Sequence, residues 1–419
     1  MSYSKKTLAE LELGQISEAQ QNFNLALKKD DDDHLYSLAE ELYSLGFVEM
    51  AKQTYQLLVK RYPAEDDLKT ALADIAISEG QDDQALEYLS QIDRNSAAYL
   101  EALLVEADLY QTQGLFEVSE NKLLTALHLA PDEEVIQFAL AELYFSIKEY
   151  RKALGYYLDL IKQGISSYSR VNLVARLGVC YAEISKFEQA LGYLEQIHEE
   201  DLDPDARFQL AVTQYELQHD DDALHNFNSL RETTPDYATI YPYIAAIYEK
   251  KGQLADALVT LQEGLGVDQY NSAMYQNASR LSQKLGQIEQ AEKYLQTALA
   301  QDPDNLTLVI DLSSLLVRAN KFQADLDLIK RYQQNEQFDA HLFWDQGRSF
   351  AALGNYAAAL DSYASAAAEL SDSPDFLSDA AYFYRNAGQR SKAIQYAEKF
   401  LQIYPNDAEM YELLSELQD

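Results

Sequence analysis

The stretch DDDDHLYSLAEE, Asp30 to Glu41, places Asp30, Asp32 and Glu41 at positions 1, 3 and 12, the spacing at which a calcium loop supplies oxygen ligands. The chemistry fails at two points: Leu35 stands where such a loop needs glycine, and His34 replaces an oxygen donor. The same aspartates are suited to capping the helix that follows and to favouring its dipole. His219 and His225, in HDDDALH, are six residues apart and fall on different faces of a helix, which does not make a zinc pair. His34, His128, His198 and His341 are isolated in sequence. A single cysteine, Cys180 in RLGVCYAEI, allows neither an intrachain disulfide nor a cysteine metal cluster, and its apolar setting marks it as buried packing. The signatures GxxxxGK[ST], HExxH, GxSxG and GxGxxG are absent, so the sequence calls for no cofactor, no metal and no catalytic residue.

Charge narrows the partners. The chain carries 33 Lys and Arg against 69 Asp and Glu, a formal net charge of −36. Phosphate contacts need clustered cations, so nucleic acid is not expected as a partner. The excess of acid is spread over both halves, with no basic domain hidden behind an acidic tail. No apolar run reaches the length of a membrane-spanning helix, and MSYSKKTLAELELGQ lacks the apolar segment of a signal peptide. A cytoplasmic location without membrane insertion is the expectation.

What must position any functional side chain is a repeat. In GNYAAALDSYASAAAEL, residues 354–370, Ala359, Tyr363 and Ala366 lie four and then three apart, on one face of a helix. Aligning the chain on that alanine gives Ala19, Ala51, Ala85, Ser119, Ala153, Ala190, Ala223, Ala257, Ala291, Asp325, Ala359 and Ala393, twelve positions separated by 32 to 37 residues and most often by 34. Glycine precedes most of them by five residues, where a left-handed backbone closes a tight turn, and Lys148, Ser185, Gln218 and Asn320 stand in for it in the remaining four. All prolines but Pro242 fall between units. Pro242, in DYATIYPYIAAIYEKKG, belongs in the first turn of its helix, with Asp236 or Thr239 as cap.

A 34-residue helix pair with small residues near its eighth, twentieth and twenty-seventh positions and proline at the thirty-second resembles the tetratricopeptide repeat. Residues 286–303 and 388–405 match its second-helix pattern closely. The chain is similar to soluble multi-repeat proteins of this family from low-GC Gram-positive bacteria. The resemblance implies an all-α, right-handed superhelical solenoid of about twelve helix-turn-helix units with first helices lining a concave groove. Units one to five would occupy residues 1–165, units six to twelve 166–405, and a capping helix 406–419. The step from Ala153 to Ala190, 37 residues, is three longer than the period, and its linker KQGISSYSR is either a hinge or a surface loop.

The resemblance also implies function: a noncatalytic scaffold that binds a protein or extended peptide in the groove. The rival is a peptide-sensing regulatory receptor acting through a partner protein, since the repeat phase leaves no space for an N-terminal output domain. Carried onto the inner positions of the first helices, the family pattern selects Asp33, Tyr36, Glu40, Tyr43, Asp67, Asp74, Glu101, Asp108, Phe138, Glu142, Phe145, Asp205, Phe208 and Tyr215 early in the chain. Later it selects Arg280, Lys284, Arg318, Trp344, Arg348, Tyr382 and Arg385. The first set is acidic and aromatic and suits a basic or aromatic segment. The second is basic, and either receives an acidic segment or pairs with carboxylates of neighbouring units. The family's carboxylate clamp is not matched, because Gln276 and Trp344 hold fifth positions and Arg280 and Arg348 the ninths.

Overall fold

The structure, a computed structural model, describes residues 2–333 and 339–418. Its described residues form helical hairpins and one small β-hairpin, grouped in two compact units, Met1–Leu217 and Gln218–Asp419. In the first unit the hairpins are α1 (Tyr3–Glu12) with α2 (Ile16–Lys29), α3 (Asp32–Ser44) with α4 (Val48–Arg61), and α5 (Asp66–Ser78) with α6 (Asp82–Ser90). Then come α7 (Tyr99–Thr112) with α8 (Phe116–Leu129) and α9 (Glu134–Ser146) with α10 (Tyr150–Lys162). Strands β1 (Ser167–Tyr168) and β2 (Val171–Asn172) precede α11 (Leu173–Glu183), α12 (Phe187–Leu194) and α13 (Pro204–Glu216).

The second unit opens with α14 (Asp220–Thr233) and continues with α15 (Ile240–Lys250), α16 (Leu254–Val267), α17 (Ser272–Lys284) and α18 (Ile288–Gln301). It proceeds through α19 (Leu306–Arg318), α20 (Phe322–Gln333), α21 (Ala340–Ala352), α22 (Tyr356–Leu370), α23 (Pro374–Asn386) and α24 (Arg390–Ile403). Last is α25 (Ala408–Gln418), which buries Met410, Leu413 and Leu417 in the core of the final hairpins and leaves Tyr411 exposed. Asp419, the end of the expected cap, lies outside the described residues.

The repeat phase read from the sequence is the packing phase of the molecule. All twelve stripe residues, Ser119 and Asp325 included, are 0% exposed, because they sit where the two helices of a hairpin approach most closely. At each turn one residue adopts a left-handed conformation, and the four non-glycine substitutes do so too: Lys148 at φ 63°, Ser185 at 60°, Gln218 at 63° and Asn320 at 57°. The reason is hydrogen bonding. The Lys148 N–H donates to Phe145 O (3.1 Å) and the Glu149 N–H to Tyr144 O (2.8 Å), which satisfies carbonyls at the end of α9. Pro242 is the third residue of α15, inside the first turn as expected, and Thr239 is the cap residue by position but makes no side-chain capping bond. Asp31 caps α3 by accepting from the His34 N–H at 2.9 Å.

The lengthened step between Ala153 and Ala190 folds as the β-hairpin. Ser167 pairs with Asn172 and Tyr168 with Val171, and both turn residues, Ser169 (φ 45°) and Arg170 (φ 69°), are left-handed. Tyr168 packs on Phe138 with ring centroids 4.6 Å apart. Cys180 is fully buried, and burial pushes its thiol up to about 12.

Candidate protein-binding surface

In the first unit the helices α3, α5 and α7 bring residues selected from the sequence onto one surface. Glu40, Asp74 and Asp108 recur at the 34-residue interval, and so do Asp33, Asp67 and Glu101. Burial first, and then the Glu40, Asp67 and Glu101 carboxylates within electrostatic reach, raise the pKa of the Tyr36 hydroxyl. Burial, followed by the Asp67 and Asp74 carboxylates, also raises Glu101, and burial with Asp74 raises Asp108. Tyrosines line the row: Tyr36 meets Tyr55 edge-on with centroids 6.4 Å apart, and Tyr43 donates its hydroxyl hydrogen bond to Asp74. Among the described residues no Lys or Arg forms an ion pair with Glu40, Asp67, Asp74, Glu101 or Asp108.

The row ends at α9 and α11. The next carboxylate in the register, Glu142, is gripped by Arg176 through Nε at 3.1 Å and Nη2 at 2.9 Å. Arg176 also lies 4.1 Å from the centre of the Phe145 ring, and Tyr157 donates to Glu142. Phe138 is covered by Tyr168 of the β-hairpin. Further along, Phe208 and Tyr215 are partly buried on α13, with Asp205 exposed on the same helix. Arg176 and Tyr168 were not selected from the sequence, although Arg176 stands 34 residues after Glu142 and was legible from register alone.

The basic set of the second unit has a different character, because most of it is already engaged across hairpins. Arg280 on α17 makes a two-pronged contact with Glu249 of α15, its second prong at 2.7 Å, and Lys284 reaches the same carboxylate at 2.8 Å. Arg280 first, and then Lys284, hold Glu249 down to about 2. Arg348 on α21 lies 3.4 Å from Asp345 and 3.9 Å from Asp379 of α23, and stands over the Trp344 ring at 5.7 Å. Trp344 donates its indole N–H to Asp379 at 2.6 Å, and Tyr363 donates to the same oxygen at 2.6 Å. Arg385 reaches Glu416 of α25 at 3.6 Å and lies over Tyr382 at 5.2 Å. Arg318 donates to the Ser314 carbonyl of its own helix at 3.2 Å and forms no ion pair among the described residues.

Consecutive antiparallel helical hairpins of this period, with small residues at every closest approach and a left-handed residue at every turn, define a tetratricopeptide-repeat solenoid. Residues 111–165 match the family described as YpiA-like, tetratricopeptide repeats, residues 341–407 match YpiA-like, C-terminal tetratricopeptide repeats, and residues 248–316 match the general tetratricopeptide repeat. Over 409 residues the chain is 30% identical to the TPR repeat-containing protein YpiA of Bacillus subtilis (strain 168), spanning 98% of this chain and 96% of that one. The chain belongs to the YpiA-like tetratricopeptide repeat family. Among solved structures it is similar to the APC/C hetero-tetramer Cut9-Hcn1, at 13% identity and a TM-score of 0.43 over 99% of this chain and 95% of that one. It is also similar to the C-terminal part of a TPR repeat-containing protein from Cytophaga hutchinsonii, at 12% identity and a TM-score of 0.44 over 65% of this chain and 98% of that one. Tetratricopeptide-repeat proteins act generally as protein-interaction scaffolds. No helix among the described residues is long and apolar enough to cross a membrane.

Proposed function

We propose that this chain is a noncatalytic scaffold that captures a basic, extended segment of a partner protein along α3, α5 and α7. One observation carries the reading: a row of carboxylates flanked by tyrosines, none with an ion-pair partner among the described residues. Charges that serve solubility alone gain most by standing in full solvent. Here Glu101 and Asp108 are partly desolvated next to like charges, an arrangement that costs stability in the free protein and that an incoming cation relieves. Tyr36 and Tyr43 add flat, amphipathic contact area of the kind that anchors interfaces. The cations of the second unit are largely held by carboxylates of adjacent hairpins, so the reading rests on the first unit.

The test uses a fluorescein-labelled nona-arginine peptide and its nona-glutamate counterpart, with anisotropy read against the full chain. Only the arginine peptide is expected to bind, with affinity that falls as salt rises. Neutralising the row by Glu40→Gln, Asp74→Asn and Asp108→Asn is expected to weaken binding by at least about tenfold, the equivalent of about 1.4 kcal/mol. Helicity should not change. A control that neutralises the exposed Glu117, Glu133 and Glu188 removes the same charge and should retain most of the affinity. Equal losses in the two triple variants would reduce the effect to net charge and end the proposal.

A further inference from the structure

Ten of the twelve stripe positions carry alanine and one carries serine; in the tenth hairpin the residue is Asp325. Its carboxyl is buried between α19, α20 and α21, at 0% exposure. The sequence around it is adapted to hold it. Ser313 of α19 donates to Asp325 Oδ1 at 2.6 Å, and Ser349 of α21 donates to Oδ2 at 2.6 Å, both serines being themselves fully buried. A second carboxyl, Asp345 of α21, is 3% exposed; its Oδ2 accepts from Ser314 at 2.8 Å and lies 3.4 Å from the same Ser313 oxygen. Ser313 has one proton to donate, so it cannot serve both carboxylates at once.

Opposite charge is scarce around the pair. Arg348 of α21 touches Asp345 at 3.4 Å and on its other side faces Asp379 of α23; it makes no ion pair with Asp325. From α19 the facing groups are hydroxyls, from α22 Tyr363 is committed to Asp379, Lys321 just before α20 pairs with Glu292 of α18 at 2.5 Å, and on α20 itself Asp327, Lys330 and Arg331 are exposed. A carboxylate where ten of the other hairpins have a methyl group goes with looser packing: α20 packs less closely on α19 than α18 does on α17 or α22 on α21. Beside it a cavity of about 520 Å³, half-open to solvent and lined by Leu312, Leu316 and Leu328 together with Glu292, Asp304 and Arg331, gives the helix room to shift.

We infer that Asp325 and Asp345 form a proton-operated latch that sets how firmly α20 seats on α19 and α21. With a proton on Asp325 the site is a neutral hydrogen-bonded cluster. When the proton leaves to solvent, two buried carboxylates compete for the one Ser313 proton while Arg348 pairs with Asp345 and not with Asp325, and α20 loosens towards the cavity. Burial pushes the Asp325 carboxyl up to about 6, which puts the transition within the physiological range. Because the seated form holds the proton more tightly than an unseated chain, the stabilisation is fully present at low pH and is lost as pH rises through about 6.

The experiment is hydrogen exchange read by mass spectrometry on the full chain between pH 5 and 7.5, corrected for intrinsic exchange. Protection of peptides in α20 is expected to fall by about tenfold across that range, the ratio given by linkage for a carboxyl displaced from the usual aspartate range to about 6. Peptides in α23 and α24 should stay level. Asp325→Asn keeps the size, with one acceptor oxygen and one donor in the place of the protonated acid, but without the titration, and should abolish the pH dependence; Asp325→Ala, which restores the repeat's own residue, should do the same. Flat protection in the parent chain overturns the inference, and so does a pH dependence that survives in Asp325→Asn.

Discussion

Tyr363 shows at the scale of one residue how a repeat motif becomes packing. Its ring stacks on Phe383 at 3.9 Å between centroids, its hydroxyl donates to Asp379, and the space it occupies exists because Gly347 has no side chain. A Cβ at Gly347 would stand 2.7 Å from the Tyr363 ring, closer than a real contact allows. The ring has little freedom to retreat, since it is stacked on Phe383 and held at its hydroxyl. Gly347→Ala is therefore expected to destabilise the second unit by about 1–3 kcal/mol despite the better helix propensity of alanine, because overpacking outweighs a gain of about 1 kcal/mol. Urea unfolding followed by circular dichroism checks it, and an unchanged or higher midpoint would show that the ring yields freely. The sequence predicts the burial of Ala359, Tyr363 and Ala366 from helical spacing, and the structure bears it out. The ion pairs were legible only in part. Register stacks residues 34 apart, so Arg176 over Glu142 follows from arithmetic, whereas Arg280 to Glu249 spans 31 residues and Trp344 to Asp379 spans 35. Such pairs are decided by the reach of long side chains rather than by backbone phase.

Among the elements, the turn between the two helices of a hairpin is where backbone strain collects. Eight of the twelve turns use glycine for a left-handed residue, and the other four force a side chain into that conformation because the hydrogen bonds at the helix end require it. The strain costs about 1 kcal/mol or more per non-glycine residue. Lys148 is exposed and its side chain makes no hydrogen bond or ion pair among the described residues, so Lys148→Gly removes strain and gives up little. The substitution is expected to stabilise the first unit by about 0.5–1 kcal/mol net of the extra chain entropy of glycine. A rise in the thermal midpoint with unchanged helicity is the readout, and a fall would mean that the left-handed position carries no strain. The four substituted turns were legible in the sequence because the flanking phase was intact. The β-hairpin was not. Its turn, Ser169-Arg170, lacks the Asn-Gly or Asp-Gly signal that marks such loops, and the stacking of Tyr168 on Phe138 supplies from tertiary contact what local propensity does not.

Charge is the property of the whole molecule, and it sets two salt effects of opposite sign. With 33 cations against 69 anions, pairing every Lys and Arg would still leave an excess of 36 negative charges at neutral pH. The exposed ion pairs that bridge hairpins each contribute about 0–1 kcal/mol and are weakened by salt. Repulsion among the excess carboxylates acts over the whole surface, and salt weakens it as well, since the screening length falls from about 30 Å at 0.01 M to about 8 Å at 0.15 M. Because the anions outnumber the cations two to one, relief of repulsion outweighs loss of pairs. The melting temperature is therefore expected to rise by several degrees between 10 and 150 mM sodium chloride, with the same rise in potassium chloride. Capture of a basic segment along α3, α5 and α7 depends on the same field and should weaken over that interval. The variant with Glu40→Gln, Asp74→Asn and Asp108→Asn lowers the density of like charge on that surface, so its melting temperature should start higher and respond less to salt. A melting temperature that falls as salt is added would mean that inter-hairpin ion pairs, and not the excess of carboxylates, govern the stability of the array.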